Sequence, residues 1–170
     1  MIEIVLYEPE IPQNTGSVAR LCAGTDIRLH LIEPLGFSLA DRYLKRAGLD
    51  YWPHVRLSVW PDLAAYLDAR QGTGRLVLTT SGNRGHAGTP YHRFAFAPDD
   101  ALVFGPESKG LPDALLTAGG HAVRIPATPH IRSHNLANAA SIILYEALRQ
   151  LDALPDPDGV QPPGDPAASG

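Results

Sequence analysis

The chain has 170 residues, of which 44% are hydrophobic and 19% are charged, and its formal net charge at pH 7 is −4. This length suits one domain with a single sizeable core, and the composition excludes a wholly disordered chain. The only cysteine is Cys22, which excludes an intramolecular disulfide framework and a metal cage built from cysteines.

The last 16 residues, PDPDGVQPPGDPAASG, differ from the rest because they contain no basic residue and almost nothing that could pack. We therefore predict one domain over residues 1–154 and a flexible tail over residues 155–170. Without the three acidic residues of the tail, 15 acids face 14 bases, so a basic patch for nucleic acid is neither favoured nor excluded. No leader pattern and no apolar run of roughly 20 residues is found, which predicts a cytoplasmic protein without a membrane span.

Strand-like and helix-like segments alternate along the chain. Short runs of β-branched and apolar residues predict strands at residues 2–7, 29–32, 55–60, 76–80, 101–104 and 122–125. Apolar residues at helical spacing, with capping residues before them, predict helices at residues 14–24, 38–47, 61–70, 112–117 and 135–151. In the first of these helices Asn14 is the expected cap, and Cys22 is expected to be a small buried core residue. This order predicts an α/β domain with a mainly parallel sheet flanked by helices.

Ligands of such sheets bind beyond the carboxyl ends of the strands. The usual phosphate-binding sequences, Gly-x-Gly-x-x-Gly after the first strand and Walker A, are absent. Three predicted strands run instead into loops rich in Gly, Pro and small polar residues: LTTSGNRGHAG (78–88), FGPESKGLP (104–112) and RIPATPHIRSHNLANAAS (124–141). Each loop alone is explained by turns and helix caps, but three at successive strand ends indicate a ligand site.

The loops suit a ligand that is held by backbone groups. Glycines such as Gly105 and Gly110 allow the main chain to approach an adenine or a ribose closely. Leu78, Ile125 and Leu136 would then supply apolar walls.

A fourth segment, EPEIPQNTGSVAR, covers residues 8–20 and leads into the first helix. It carries Arg20, six residues after Asn14. An arginine on a helix is usually a solvated surface residue, but near a strand end it could bind phosphate or assist a hydroxyl group.

Together, LYEPEIPQNTGSVAR, FGPESKGLP and IPATPHIRSHNLANAASIILYEALRQ resemble the SPOUT superfamily of RNA methyltransferases, in the family's order and spacing. The resemblance covers roughly residues 1 to 153 and is strongest to the short members that methylate the wobble ribose of tRNA. It implies a C-terminal trefoil knot, S-adenosylmethionine as cofactor, a homodimer whose site is completed by the partner chain, and the tRNA anticodon stem-loop as substrate. The histidines are not clustered as metal ligands would be, so we also predict no metal.

The resemblance also implies roles for particular positions. The cofactor-binding residues would be Leu78, Thr79, Gly105, Ile125, Ser133 and Leu136. The catalytic group would contain Arg20, which acts on the ribose hydroxyl or the adjacent phosphate, with Asn14, Glu107 and Tyr145. Asn135 would help to order the knot.

The third motif departs from the family pattern. Ile131 and Ala137 replace two serines, and His134 stands where an apolar residue is usual. The histidine could act as a base or simply pack on the knot. Two alternatives to the wobble activity therefore stay open: a SPOUT 2′-O-methyltransferase for rRNA or another tRNA position, and a non-catalytic RNA-binding protein that keeps the fold.

Overall fold

The structure is a computed structural model, and it describes residues 1–40, 51–82, 85–118 and 120–156. The strands are β1 (Glu3–Tyr7), β2 (Arg28–Ile32), β3 (Leu57–Trp60), β4 (Leu76–Thr79), β5 (Thr89–Pro90), β6 (Ala101–Phe104) and β7 (His121–Arg124). The α-helices are α1 (Pro12–Thr25), α2 (Leu63–Arg70), α3 (Asp113–Thr117) and α4 (Leu136–Gln150). Two short 3-10 helices cover Trp52–His54 and Tyr91–Arg93.

The seven strands form one sheet in the order β3-β2-β1-β6-β4-β7-β5. Each strand pairing within the described residues is parallel, which confirms the predicted sheet. The central strand β1 lies between β2 and β6, so that Val5 is opposite both His30 and Val103. Because all strands run the same way, the loops after β1, β4, β6 and β7 meet at one edge of the sheet.

Helices cover both faces of the sheet, because successive side chains of a strand point to opposite sides. Ile4 and Leu6 of β1 pack into a cluster with residues of α1 and α4. Val5 points the other way, into a second cluster that includes Tyr66 of α2 and Leu111. Both faces are thus buried, which is why the strand sequences are almost continuously apolar.

The structure corrects the predicted start of the first helix. α1 begins at Pro12, and Ile11 occupies the N-cap position without a side-chain cap. Asn14 therefore does not cap the helix; it lies inside the first turn and is buried. Proline is well suited to the first helical position because its missing N–H group would have no partner there.

The other predicted elements are found with small shifts at their ends. The shortest strand, β5, was not predicted, since it has two residues and one of them is Pro90. The predicted helix over residues 38–47 falls largely on residues 41–50, which lie outside the described residues, as do residues 157–170 of the predicted tail. The boundary at residue 154 therefore stays a prediction.

Two further features of the chain bear on its chemistry. Cys22 is buried, as expected, and burial raises the pKa of its thiol to about 12. Among the described residues, the structure contains no helix with the length and hydrophobicity that a membrane span requires.

Candidate active site

A cavity of about 570 Å³ opens at the carboxyl edge of the sheet. It lies where the loops after β4, β6 and β7 meet the starts of α1 and α4. Its lining combines apolar side chains with small polar ones: Ile11, Asn14, residues 79–81, residues 104–111, Leu116, Ile125, Ala127, residues 132–136, Ala139 and Ile143. The volume falls in the range of pockets that bind drug-sized ligands, about 300–1,000 Å³.

Glu107, in the loop after β6, fixes the start of α1. Its carboxylate accepts hydrogen bonds from the backbone N–H groups of Glu10 at 2.8 Å and Ile11 at 3.3 Å, and from Nδ2 of Asn14 at 3.0 Å. Backbone N–H groups at a helix start have no partner within the helix. Glu107 therefore supplies from another loop the acceptor that no local side chain provides.

The same network continues into α4. The Oδ1 atom of Asn14 accepts a hydrogen bond from Nδ2 of Asn135 at 2.9 Å. Asn135 in turn caps α4, because its Oδ1 accepts from the backbone N–H groups of Ala137 and Asn138. One chain of hydrogen bonds, from Glu107 through Asn14 to Asn135, thus joins the three motifs on which the resemblance rests.

A second set of contacts holds the loop after β6 against the loop after β1. Glu10 accepts hydrogen bonds from Oγ and the backbone N–H of Ser108, at 2.7 and 2.9 Å. These two bonds, from the side chain first and the backbone second, lower the pKa of Glu10. Lys109 donates to Glu8 at 3.3 Å. The backbone N–H of Glu10 binds Glu107 while its carboxylate binds Ser108, so the two loops hold each other reciprocally.

Gly105 is required by the loop itself. A Cβ atom on this residue would lie 2.3 Å from the backbone N of Leu111 and 2.4 Å from the carbonyl carbon of Gly110. Gly110 has a φ of 67°, a conformation that favours glycine. The sequence suggested that these glycines let the backbone approach a ligand. The structure shows a further reason for them, because the loop folds back on its own backbone.

Most residues expected at the site from the sequence are brought together. Seven line the cavity: Asn14, Thr79, Gly105, Glu107, Ile125, Ser133 and Leu136. Thr79 is oriented by a hydrogen bond from its Oγ1 to the carbonyl oxygen of Val103 at 2.9 Å.

Three expected site residues are not among the described residues that line the cavity. Leu78 precedes Thr79, but its side chain is buried in the second core cluster. Tyr145 lies on α4 with 48% of its surface exposed. Arg20 is also exposed, and six residues separate it from Asn14, which corresponds to about 120° around the helix. A single chain therefore does not direct Arg20 into its own cavity.

His134 and Arg132 also lie at the cavity, next to Ser133. The Nε2 atom of His134 is buried and has no hydrogen-bond partner among the described residues. A buried polar atom without a partner costs free energy, so this nitrogen is a candidate partner for a bound ligand. No group of three or more His, Cys, Asp or Glu side chains in the described part of the chain could hold a metal ion.

Comparison with known proteins decides the family. Residues 1–145 match the SpoU rRNA Methylase family. The chain belongs to this family. The resemblance inferred from the three motifs is thereby confirmed, and the family implies a trefoil knot in the C-terminal part of the chain.

Curated relatives of this SpoU methylase share almost half of its residues. The tRNA (cytidine(34)-2′-O)-methyltransferase of Aeromonas hydrophila is 48% identical over 89% of this chain and 95% of its own. The protein of the same description from Escherichia coli K12 is 47% identical, over 89% of this chain and 94% of its own. Both alignments thus cover most of this chain and nearly all of the relative.

Solved structures agree with the family assignment. A structure reported as giving structural insights into the 2-OH methylation of C/U34 on tRNA matches with a TM-score of 0.82 and 47% identity, over 89% of this chain and 97% of that one. The SpoU methyltransferase AviRb from Streptomyces viridochromogenes, in complex with the cofactor AdoMet, matches with a TM-score of 0.77 and 26% identity. That match covers 91% of this chain and 59% of AviRb.

Sequence reasoning missed two pairs of residues near the site. The contact of Glu10 with Ser108 joins positions 98 apart, and nothing local in either segment indicates it. The guanidinium of Arg20 lies over the ring of Tyr51, which follows a segment whose sequence indicates only the end of a helix. Both are tertiary contacts, which periodicity and spacing do not report.

Proposed function

We propose that this SpoU methylase transfers a methyl group from S-adenosylmethionine to the ribose 2′-oxygen of nucleotide 34 in the tRNA anticodon stem-loop. The observation that carries the proposal is the cavity itself. Residues of all three motifs line it, and hydrogen bonds from Glu107 through Asn14 to Asn135 join these motifs. Relatives of nearly the same length, at 47–48% identity, are described as methylating cytidine 34 of tRNA.

The lining fits S-adenosylmethionine. It combines the apolar side chains of Ile125 and Leu136 with small polar groups from Thr79 and Ser133, and it includes His134, whose Nε2 has no partner among the described residues. We assign cofactor binding to Leu78 (through its backbone), Thr79, Gly105, Ile125, Ser133 and Leu136. The bound cofactor supplies an activated methyl group on a sulfonium centre.

Arg20 is the proposed catalytic cation. A ribose hydroxyl attacks poorly unless its developing negative charge is stabilised or its proton is taken. An arginine side chain keeps its charge in proteins, so stabilisation of the oxygen suits Arg20 better than acceptance of a proton. Since Arg20 is exposed and is not among the described residues that line the cavity of its own chain, we propose that it acts at the cavity of the partner in a homodimer.

The other proposed catalytic residues support this arrangement. The Glu107 carboxylate already accepts three hydrogen bonds, so we assign to it and to Asn14 the task of holding the cavity walls. Tyr145, exposed on α4, is proposed to lie near the dimer interface. A basic segment at residues 42–46, RYLKR, is a proposed phosphate contact that lies outside the described residues. Reaction with the tRNA pool would place the protein in the cytoplasm.

The proposal is tested in two steps with the purified full chain. Calorimetric titration with S-adenosylmethionine, and in parallel with S-adenosylhomocysteine, should show saturable binding near one site per chain. Labelled methyl transfer to tRNA, followed by nucleotide mapping, should then find 2′-O-methylation at position 34. A tRNA with 2′-deoxyribose at position 34 is the matched control and should accept no methyl group.

Other outcomes identify other functions. Cofactor binding with methylation of rRNA or of a different tRNA position would favour the alternative that the family description itself suggests. Failure to bind either cofactor form, together with retained RNA binding, would indicate a non-catalytic RNA-binding protein and would contradict the proposal.

A further inference from the structure

Arg20 is not a freely moving surface side chain. Its guanidinium carbon lies 5.6 Å from the centroid of the Tyr51 ring, within the range of a cation–π contact. No ion pair between Arg20 and another described residue accompanies this contact. The aromatic ring is therefore the one described group that orients the guanidinium.

Tyr51 is itself fixed at both ends. Its hydroxyl donates a hydrogen bond to the carbonyl oxygen of Gly16 at 2.9 Å. Gly16 lies four residues before Arg20, so the same carbonyl pairs in the helix with the backbone N–H of Arg20. The body of Tyr51 packs against the first core cluster, and the short 3-10 helix Trp52–His54 follows it.

We propose that Tyr51 is a positioning residue that holds the Arg20 guanidinium in the orientation in which it meets the ribose oxygen or its phosphate. The inference rests on the proposed function, because it assigns a purpose to Tyr51 only if Arg20 acts in methyl transfer. Tyr51 is not among the described residues that line the cavity, so its role is to act through Arg20.

The physical reason lies in the flexibility of arginine. A long side chain that leaves a helix into solvent populates many rotamers, and only a few of them aim the guanidinium correctly. An anchored aromatic ring beneath the guanidinium selects a small set of these rotamers before substrate arrives. Less ordering is then needed in the reaction, which raises the rate and leaves cofactor affinity unchanged.

The test is a double-mutant cycle on the full chain, with methyl transfer to tRNA measured under single-turnover conditions at saturating S-adenosylmethionine and tRNA. Arg20→Ala should lower the rate about 100-fold, as loss of one group that stabilises a developing oxyanion does. Tyr51→Leu should lower it about fivefold, in line with loss of a partly exposed cation–π contact. Tyr51→Phe keeps the ring and should stay within about twofold of the parent.

The decisive measurement is the combination of the two changes. Arg20→Ala with Tyr51→Leu should be no slower than Arg20→Ala alone, because the ring acts only through the guanidinium. Cofactor affinity by calorimetry and tRNA affinity should be the same in the parent and in Tyr51→Leu, so that the loss appears in the rate constant. If Tyr51→Leu slows transfer equally with and without Arg20, the inference is wrong.

Trp52→Leu is the matched control. Trp52 neighbours Tyr51 and packs against the same core cluster, so this change loosens the same segment. Its effect on the rate should be independent of Arg20. If instead Arg20→Ala keeps the full rate in the otherwise unchanged chain, the proposed role of Arg20 fails, an outcome distinct from additive effects of Arg20 and Tyr51.

Discussion

At each end of the sheet a glutamate accepts hydrogen bonds from several groups. Glu3 begins β1, at the amino ends of the strands, whereas Glu107 follows β6, at the carboxyl ends. The partners of Glu3 are side chains, while Glu107 accepts mainly from the backbone of a helix start.

The Glu3 cluster joins two strands to a helix. Tyr66 donates to Glu3 at 2.6 Å, Arg70 forms an ion pair with it, and Nε2 of His30 lies 3.2 Å away. The indole N–H of Trp60 donates to Nδ1 of His30, so Nε2 carries the proton and donates to Glu3. These contacts pair a carboxylate that is only 13% exposed.

The two glutamates make similar hydrogen bonds, but the effect of each depends on which parts of the chain it connects. Glu3 connects side chains of two strands and a helix, so its loss should lower the stability of the whole fold. Glu107 determines where two loops of the cavity lie, so its loss should change the shape of the cavity and its affinity for a ligand. Stability and ligand affinity should therefore respond separately to changes at the two positions.

The largest effect is expected for Glu3→Ala. Removal of one partner from a largely buried ion pair costs about 3 kcal/mol, because Arg70 and Tyr66 lose their shared acceptor. The free energy of unfolding, measured in urea, should fall by that amount, while affinity of the folded protein for S-adenosylmethionine should stay within about twofold. A similar loss of affinity would show that the two ends of the sheet are not independent.

A smaller effect, on a different quantity, is expected for Glu107→Ala. Three donors lose their acceptor and the start of α1 is no longer fixed, which should weaken cofactor binding by about 30-fold, or about 2 kcal/mol. Glu107→Gln is the matched control, since its carbonyl oxygen still accepts and its affinity should fall less. Calorimetry measures both. If Glu107→Ala kept its affinity and lost unfolding stability instead, Glu107 would support the fold and not the cavity.

The smallest expected effect is a loss of stability at acidic pH. Burial raises the pKa of Glu3, but hydrogen bonds from His30 and Tyr66 and the charges nearby outweigh it, and the pKa falls from 4.5 to about 2. A carboxyl whose pKa is lowered by folding stabilises the fold above its unfolded pKa, and this contribution fades as pH falls from about 5 towards 2.

Between pH 5 and pH 4 the free energy of unfolding should therefore drop by somewhat less than about 1 kcal/mol through Glu3. Urea unfolding at the two pH values measures the drop. Glu3→Gln has no carboxyl to titrate at this position, and its drop should be smaller by that amount. An identical drop in both proteins would rule out Glu3 as a source of acid sensitivity.

The sheet was predictable because its central strands are buried on both faces and their sequences are therefore apolar runs. The cavity was predictable because three loops rich in Gly, Pro and small polar residues follow strands that end at one edge of the sheet. The capping role expected for Asn14 was wrong, since a capping residue type near a helix start does not show whether its side chain bonds the helix or, as here, Glu107 and Asn135. The Glu3 cluster gave no sign, because its members at positions 3, 30, 60, 66 and 70 meet only after the strands pair.

The spread of the cavity lining along the chain has a consequence for biosynthesis. β1 pairs with β6, about a hundred positions later, and the last helix, α4, supplies the Asn135 link and part of the cavity wall. Contacts between such distant segments form late in folding. The cavity is therefore complete only after α4 has been synthesised, so a chain truncated before α4 should not bind S-adenosylmethionine in the proposed way.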